Sequence, residues 1–560
     1  MPFPHSPARL AAALALTALL MLAACSTMNS TATASRLERM TTAGLVAGND
    51  KSSTAQTLEW LGVPYAKAPV GSLRWMPPVA PDAWSGVRPA RAFGNSCVQT
   101  SRFYSPAPDN APYGLAVREG FGKAVGSEDC LTLNIWRPAA DTGPLPVIVF
   151  IHGGSNISGY TADPAYHGET LARKANAVVV TINYRLGLFG WLKLPQLATG
   201  DAQADSGNFA ILDQIQALRF IKANAQAFGG DPGNVTVMGQ SAGAFDLWAL
   251  LVAPASEGLL HKAVPLSGGL LNVSAAQAQT WAGNLLVATL LADGTAADAD
   301  AAQRYIATRT PAQVAAYLRG KSAEDMVRAS TRPGLGIAPA PIADGTVIPA
   351  DALGAIAAGN YRAVPVLSGT TTEEGKLFGG ITGSYKPNDY DRFALQYNFN
   401  PDAPTALTEA DLLNPAVLPV EKPATGWNAV SANLGTRIIN GASGPSRTAL
   451  AAKQPGRLWA YSFDWKQEPV PFNTVYGAVH AMDVPFIMGN FDRKNIFSFA
   501  FSQANRPGRE ALSDAMIQSL SAFARTGNPN HPGLGTAWPV WPATLVLDAS
   551  PAQARIRLAP

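Results

Sequence analysis

Charge is what this chain of 560 residues has least of. Only 14% of its residues are charged, 42 Lys and Arg set against 39 Asp and Glu for a formal net charge of +3. No basic cluster and no basic stretch interleaved with aromatics stands out, which excludes nucleic acid as a partner. Cysteine is scarce as well, with three in all. No pattern in the chain asks for a metal or an organic cofactor. The apolar run Leu10–Leu22 is too short and wrongly flanked for a membrane-spanning helix. What is plentiful is apolar surface. At 47% hydrophobic residues the chain can bury a large core and is not disordered.

Among the residues that are present, Gly239-Gln240-Ser241-Ala242-Gly243 is the most telling run. It follows the apolar strand candidate Val235–Met238 and precedes a helix-compatible stretch, Ala244–Leu251. A sharp turn between strand and helix lifts one serine out of the sheet edge, and glycines two residues either side keep side chains from colliding with the neighbouring strand and helix. Ser241 is therefore the candidate nucleophile. The competing reading, a surface turn, has to be judged by whether partner residues exist.

A serine hydroxyl is a weak nucleophile until a histidine takes its proton, and that histidine needs a carboxylate to orient it. Six histidines permit elimination. His5 lies in the leader. His152 follows the buried-strand candidate Val147–Ile151 and opens a Gly-rich loop. His167 and His261 sit on segments lacking a strand-end loop, and His531 falls in a turn rich in Asn, Pro and Gly. His480 remains, in a loop beyond the strand-like Arg457–Phe463. For the acid, the strand candidate Val364–Ser368 runs into adjacent carboxylates, Glu373 and Glu374. Glu373 reads as a solvated acidic turn.

These motifs, with others, resemble the type-B carboxylesterases, the family of bacterial p-nitrobenzyl esterases, cholinesterases and the non-catalytic neuroligins. The resemblance rests on Leu61–Trp75, Ser127–Trp136, Asn183–Gly187, Phe228–Pro232, the elbow, Ala343–Thr346, Phe523–Pro529 and Trp538–Trp541, and spans about residues 42–560. It implies an α/β-hydrolase fold with a central, mostly parallel sheet flanked by helices. It also implies serine carboxylester hydrolysis of a small-molecule ester. The family's acidic segment falls on Glu374 and its histidine segment on His480, giving a Ser241–Glu374–His480 triad. The backbone N–H groups of Gly154, Ser155 and Ala242 correspond to its oxyanion hole. A non-catalytic binding or adhesion lipoprotein on the same fold, and a lipase or amidase, are the other readings. Retention of Ser241, Glu374 and His480 favours the enzyme.

Two departures stand out. Gln240 replaces the usual glutamate before the nucleophile, keeping shape and hydrogen-bonding capacity while losing charge. The oxyanion loop reads His152-Gly153-Gly154-Ser155-Asn156, with Ser155 narrowing the approach to the substrate carbonyl and Asn156 at the place of an aromatic wall. Along the chain, Val147–Ile151, Ala177–Asn183 and Val235–Met238 read as strands covered on both faces. Ile211, Ile215, Leu218 and Ile221 share one helix face. Ser274–Ala292 and Pro311–Ser330 read as helical, lid-like insertions walling the active site.

The N-terminus bears on location. Residues 1–24 read as a signal peptide whose end, Leu22-Ala23-Ala24-Cys25, resembles a bacterial lipobox, so that Cys25 would carry lipid and anchor the chain to a membrane. Ser26 after that cysteine resembles outer-membrane sorting in Gram-negative bacteria. A periplasmic or secreted protein is the alternative. Residues 25–40 would be a tether rich in Ser, Thr and Ala, leaving 41–560 as one catalytic domain. With Cys25 acylated, Cys97 and Cys130 are left, both at positions of a disulfide in the family that the chain resembles. Oligomeric state and ester specificity are not legible.

Overall fold

Short, strongly apolar runs separated by helices dictate a sheet with both faces buried, and that is what forms. The computed structural model describes residues 1, 36–140, 143–338, 340–404, 406–492 and 494–559. The main sheet contains eleven strands: β1 (Asn49–Lys51), β2 (Thr57–Pro64), β3 (Thr132–Pro138), β4 (Leu145–Ile151), β5 (Val178–Ile182), β6 (Gly230–Gln240), β7 (Lys262–Leu266), β8 (Val366–Thr371), β9 (Leu458–Phe463), β10 (Thr544–Ala549) and β11 (Ala554–Leu558). Their spatial order is β11-β10-β9-β8-β7-β6-β4-β5-β3-β2-β1. Every pairing from β5 across to β10 is parallel, and antiparallel strands close both edges. This is the α/β-hydrolase architecture.

Alternation along each central strand explains the two-sided burial. Val147, Val149 and Ile151 of β4 enter one core, while Ile148 and Phe150 enter the core on the opposite face. The same division holds for Val178, Val180 and Ile182 against Val179 in β5. On the first face lie α1 (Phe209–Asn224) and α2 (Ala242–Val252); on the second lies the long helix Arg506–Thr526. Ile211, Ile215, Leu218 and Ile221 all point into the first core, as their spacing predicts.

The insertions form a third cluster. Ala275–Ala292 (α3) begins at a Ser274 capping box, which satisfies orphan N–H groups at the helix start. The stretch Pro311–Ser330 is two helices, α4 (Pro311–Arg319) and α5 (Ala323–Ser330), rather than one. The break falls at Gly320-Lys321-Ser322, where Ser322 caps the second helix by accepting from the Asp325 N–H. Trp281, Leu286, Leu318 and Met326 pack there against Trp75 and Phe189.

Several motif residues are joints between these parts. Arg74 makes a two-pronged pair with Glu128, at 2.7 and 2.5 Å, and donates to the Lys321 carbonyl at 2.7 Å. Arg185, after β5, grips Asp213 of α1 at 2.8 and 2.7 Å, with both side chains buried. Asp344 receives the backbone N–H groups of Thr346, Val347 and Ile348. At the N-terminal end, Glu38–Thr41 pairs with Gly44–Ala47 in a small separate sheet, so the last residues of the expected tether are part of a strand. Residues 2–35, including Cys25, lie outside the described residues, as does nearly all of the expected leader. Among the described residues no helix is long and apolar enough to cross a membrane.

One buried acid has a consequence for stability. Glu468 is 4% exposed, and among the described residues neither carboxylate oxygen has a hydrogen-bond partner. Burial raises its pKa to about 8, with Glu373 adding to the rise and Lys376 and Lys466 opposing it. A carboxyl raised in the folded state contributes stability below its unfolded value and loses it as pH climbs through the folded value. Glu468→Gln should therefore melt higher than the parent at pH 8.5, and the gap should close as pH falls from about 8 to 4.5. A melting difference that stays constant across that range would show the acid to be paired.

Candidate active site

The site is built where the central parallel strands end. At the end of β6 the chain turns at Ser241, with φ 56° and ψ −120°, and α2 starts at Ala242. A non-glycine residue pays strain in that region, so it persists only where the surroundings enforce it. Both flanking glycines are enforced by contact. A Cβ on Gly239 would sit 2.1 Å from the Gly243 carbonyl oxygen, and one on Gly243 would sit 2.2 Å from that of Ile151. The Ser241 N–H donates to the Leu266 carbonyl at 2.9 Å, fastening the turn to the end of β7.

Glu374 begins a short helical turn just beyond β8. Its Oε2 lies 2.5 Å from Nδ1 of His480. Its Oε1 accepts from the Ser267 hydroxyl at 2.7 Å and from the Thr371 N–H at 2.8 Å. Glu374 and His480 are 2% and 1% exposed, so this bond is made away from water. Ser267 was not legible as a functional residue. The available signal was its place at the end of the apolar strand β7, ahead of Gly268-Gly269. Arg447 lies in the same buried region, donating to Ser368 Oγ at 2.9 Å. Burial lowers its pKa to about 10, against the opposing pull of Glu374 and Tyr461.

Glu373 is not the solvated turn its sequence context predicts. Its side chain is 20% exposed and pairs with the buried Lys376 at 2.7 Å. Its Oε2 accepts from the Ala478 N–H at 3.1 Å, and its backbone bridges Val479. Glu373 thus pins the loop that presents His480.

Gln240 has a closer part than sequence alone assigns it. Its Nε2 lies 3.2 Å from Nε2 of His480. An amide can offer its nitrogen to a neutral imidazole and, rotated, its oxygen to an imidazolium; a carboxylate serves only the latter. Gly153 is wedged against Gln240 and Ser241, since a Cβ there would meet Gln240 Oε1 at 2.7 Å and Ser241 Cβ at 2.9 Å.

Gly153 starts the loop after β4. Gly154 has φ 112°, with Ser155 and Asn156 at 56° and 58°. The Gly154 carbonyl accepts from the N–H groups of Ile157 at 3.1 Å and Ser158 at 3.0 Å. Among the described residues no hydrogen bond uses the N–H groups of Gly154, Ser155 or Ala242, which are free to donate to a ligand. Asn156 does not form a pocket wall. It is 2% exposed and its Nδ2 donates to Asp246 at 2.9 Å, away from any ligand space. A cavity of about 340 Å³ borders this loop, lined by Gln99, Arg102, Ile157, Leu186, Trp281 and Val327 among others. The helical insertions therefore supply part of its wall.

The remaining histidines stand apart. His152 is buried, stacks on Tyr184 at 4.6 Å, and is lowered by burial to about 4, which keeps it neutral. His261 accepts from the Val235 N–H, and His167 stacks between Phe93 and Trp136. Cys97 and Cys130 form a disulfide across 33 residues. Among the described residues no cluster of His, Cys, Asp or Glu could hold a metal.

Comparison with known proteins gives the family. The carboxylesterase family profile matches residues 35–555. The para-nitrobenzyl esterase of Bacillus subtilis strain 168 is 31% identical over 88% of this chain and 91% of its own. The fumonisin B1 esterase of Sphingopyxis macrogoltabida is 31% identical over 90% of this chain and 84% of its own. Human cocaine esterase is also 31% identical, over 90% and 85%. Among solved structures, the Geobacillus stearothermophilus carboxylesterase EST55 at pH 6.2 superposes with a TM-score of 0.71 at 31% identity, covering 94% of this chain and 98% of that one.

The Glu373–Lys376 pair gives a test of how the histidine loop is held. Glu373→Gln strands an ammonium whose side chain is only 3% exposed, which should cost about 3 kcal/mol. Calorimetry should register a lower melting temperature. An unchanged melting temperature would mean that the Thr474 carbonyl, which also accepts from Lys376 Nζ at 2.7 Å, satisfies the ammonium alone.

Proposed function

The chain belongs to the carboxylesterase family and is a carboxylic ester hydrolase, and from that premise we propose that it works by acyl transfer through Ser241. The observation that best supports this is the 2.5 Å bond between His480 Nδ1 and Glu374, made beside a strained Ser241 whose neighbour Gln240 touches the other imidazole nitrogen. His480 Nε2 takes the hydroxyl proton as Ser241 Oγ attacks the ester carbonyl. Glu374 holds Nδ1 in the protonated tautomer and stabilises the imidazolium. As the carbonyl carbon becomes tetrahedral, its oxygen gains negative charge, which the N–H groups of Gly154, Ser155 and Ala242 receive. The imidazolium then gives its proton to the departing alcohol, leaving an ester on Ser241. Water, deprotonated by the same imidazole, attacks that ester and regenerates the serine.

Its substrates are small-molecule esters. The relatives named above are called after a p-nitrobenzyl ester, fumonisin B1 and cocaine, so family membership does not single out an acyl or alcohol group. We assign the cavity beside the oxyanion loop to one side of the ester. Ser241→Ala and His480→Ala should each lower kcat by on the order of 10⁴–10⁶-fold while circular dichroism stays unchanged, and Glu374→Gln by about 10³–10⁴-fold. An active Ser241→Ala protein would rule the nucleophile out.

We further propose that the chain is exported and anchored by lipid on Cys25, in the outer membrane of a Gram-negative bacterium. Support comes from the lipobox-like sequence and from the Cys97–Cys130 disulfide, which suits an oxidising compartment. Mass spectrometry of the mature protein should find an acylated Cys25 at its N-terminus. An unmodified N-terminus downstream of Cys25 would contradict the anchor.

A further inference from the structure

The oxyanion loop holds two consecutive non-glycine residues in the left-handed region, Ser155 at φ 56° and Asn156 at 58°. That conformation costs an ordinary L-residue about 1–2 kcal/mol, less for asparagine. Part of what holds it is backbone, since the Gly154 carbonyl accepts from the Ile157 and Ser158 N–H groups and closes the turn across Ser155 and Asn156. The Asn156 carbonyl accepts one bond, from the Gly187 N–H at 2.7 Å. The rest of the restraint comes from the side chain. Asn156 Nδ2 donates at 2.9 Å to Oδ1 of Asp246, and Gln214 Nε2 donates at 2.6 Å to Oδ2 of the same carboxyl. All three side chains are buried, Asp246 and Gln214 completely.

Asp246 is not an ordinary buried acid. Among the described residues it has no cation: both its bonds come from neutral amides. It stands on α2, five residues after Ser241, on the helix whose first turn begins at the nucleophile. The pair therefore joins the loop carrying Gly154 and Ser155 directly to the element carrying Ser241 and Ala242. An apolar side chain at either position would leave the two donor sets connected only through the sheet and the close packing of Gly153 and Gly243.

We propose that Asn156 and Asp246 are a positioning pair that locks the left-handed turn, keeping the Gly154 and Ser155 N–H groups aligned with the Ser241 hydroxyl. Neither touches the substrate; both act through the backbone of the loop. The inference rests on the oxyanion assignment above and adds the residues that enforce it. It also explains why Asn156 can stand where an aromatic is usual: the position is filled by a polar strut with its own buried acceptor. Burial raises the Asp246 pKa to about 7, so the carboxyl is partly neutral near that pH and sets less negative charge near the developing oxyanion.

The decisive variant is Asn156→Gly, because glycine adopts the left-handed conformation without strain and removes only the side chain. With a p-nitrophenyl ester, kcat should fall about 30- to 300-fold while KM changes less than about threefold, and the fold should survive. Asp246→Ala should do the same, and the double variant should be no worse than the poorer single one. Asp246→Asn should recover to within about fivefold of the parent, since Gln214 Oε1 has no partner and can turn to accept from the new amide. Inhibition by a trifluoromethyl ketone, which forms a hemiketal oxyanion on serine, should weaken in proportion to the loss in kcat/KM. A residue that only stabilises the fold would lower the melting temperature and leave both kcat/KM and ketone affinity unchanged. Full kcat and unchanged ketone affinity in Asn156→Gly would overturn the pair, while Ser241→Ala in the same assay reports separately on the nucleophile. Were Ser241→Ala active, the underlying acyl-transfer reading would fail instead.

Discussion

The constraint on which the rest depends is the strained backbone at Ser241. It survives because Gly239 and Gly243 are packed too closely for any side chain, Gly239 on Gly243 itself and Gly243 on the end of β4. The same contact brings the β4 loop, with Gly153 and Gly154, against the serine. The Ser241 N–H reaches back to Leu266, and the next residue, Ser267, holds Glu374. One tight turn thus couples the ends of β4, β6, β7 and β8. Parallel pairing makes this possible, since it puts all those carboxyl ends along one edge of the sheet.

Charges removed from water are used as fasteners around that edge. Arg185–Asp213 ties the segment after β5 to α1, Arg74–Glu128 ties two distant sequence motifs to the lid helices, and Glu373–Lys376 secures the histidine loop. Buried pairs are expensive to desolvate and contribute little net stability, but removing one partner is costly, so they fix geometry. Glu374 belongs to the same economy of position, its two oxygens divided among Ser267, Thr371 and His480.

Much of this was legible from sequence. The elbow, the histidine by elimination, the buried strands and the Ile211–Ile221 face all follow from periodicity and turn chemistry. The choice of Glu374 over Glu373 and the proposed oxyanion groups rest on the family resemblance as well, as does the expectation of the Cys97–Cys130 disulfide, which forms. What was not legible depended on residues meeting across the fold. Glu373 looked like a solvated turn because its partners, Lys376 apart, are a hundred residues away. Asn156 looked like a pocket wall because its acceptor, Asp246, is on another element. The Pro311–Ser330 stretch looked continuous because its helix propensity hides the stop at Gly320-Lys321-Ser322. Ser267 gave no signal beyond its place at a strand end.

Acyl transfer through Ser241 can be tested most directly by trapping the covalent intermediate. Mixing the protein with excess p-nitrophenyl ester, quenching in acid within milliseconds and mapping the peptides should give a burst of one p-nitrophenol per chain. The acyl group should be found on the peptide containing Ser241. No burst and no adduct, or an acyl group on a different residue, would contradict the role assigned to this serine.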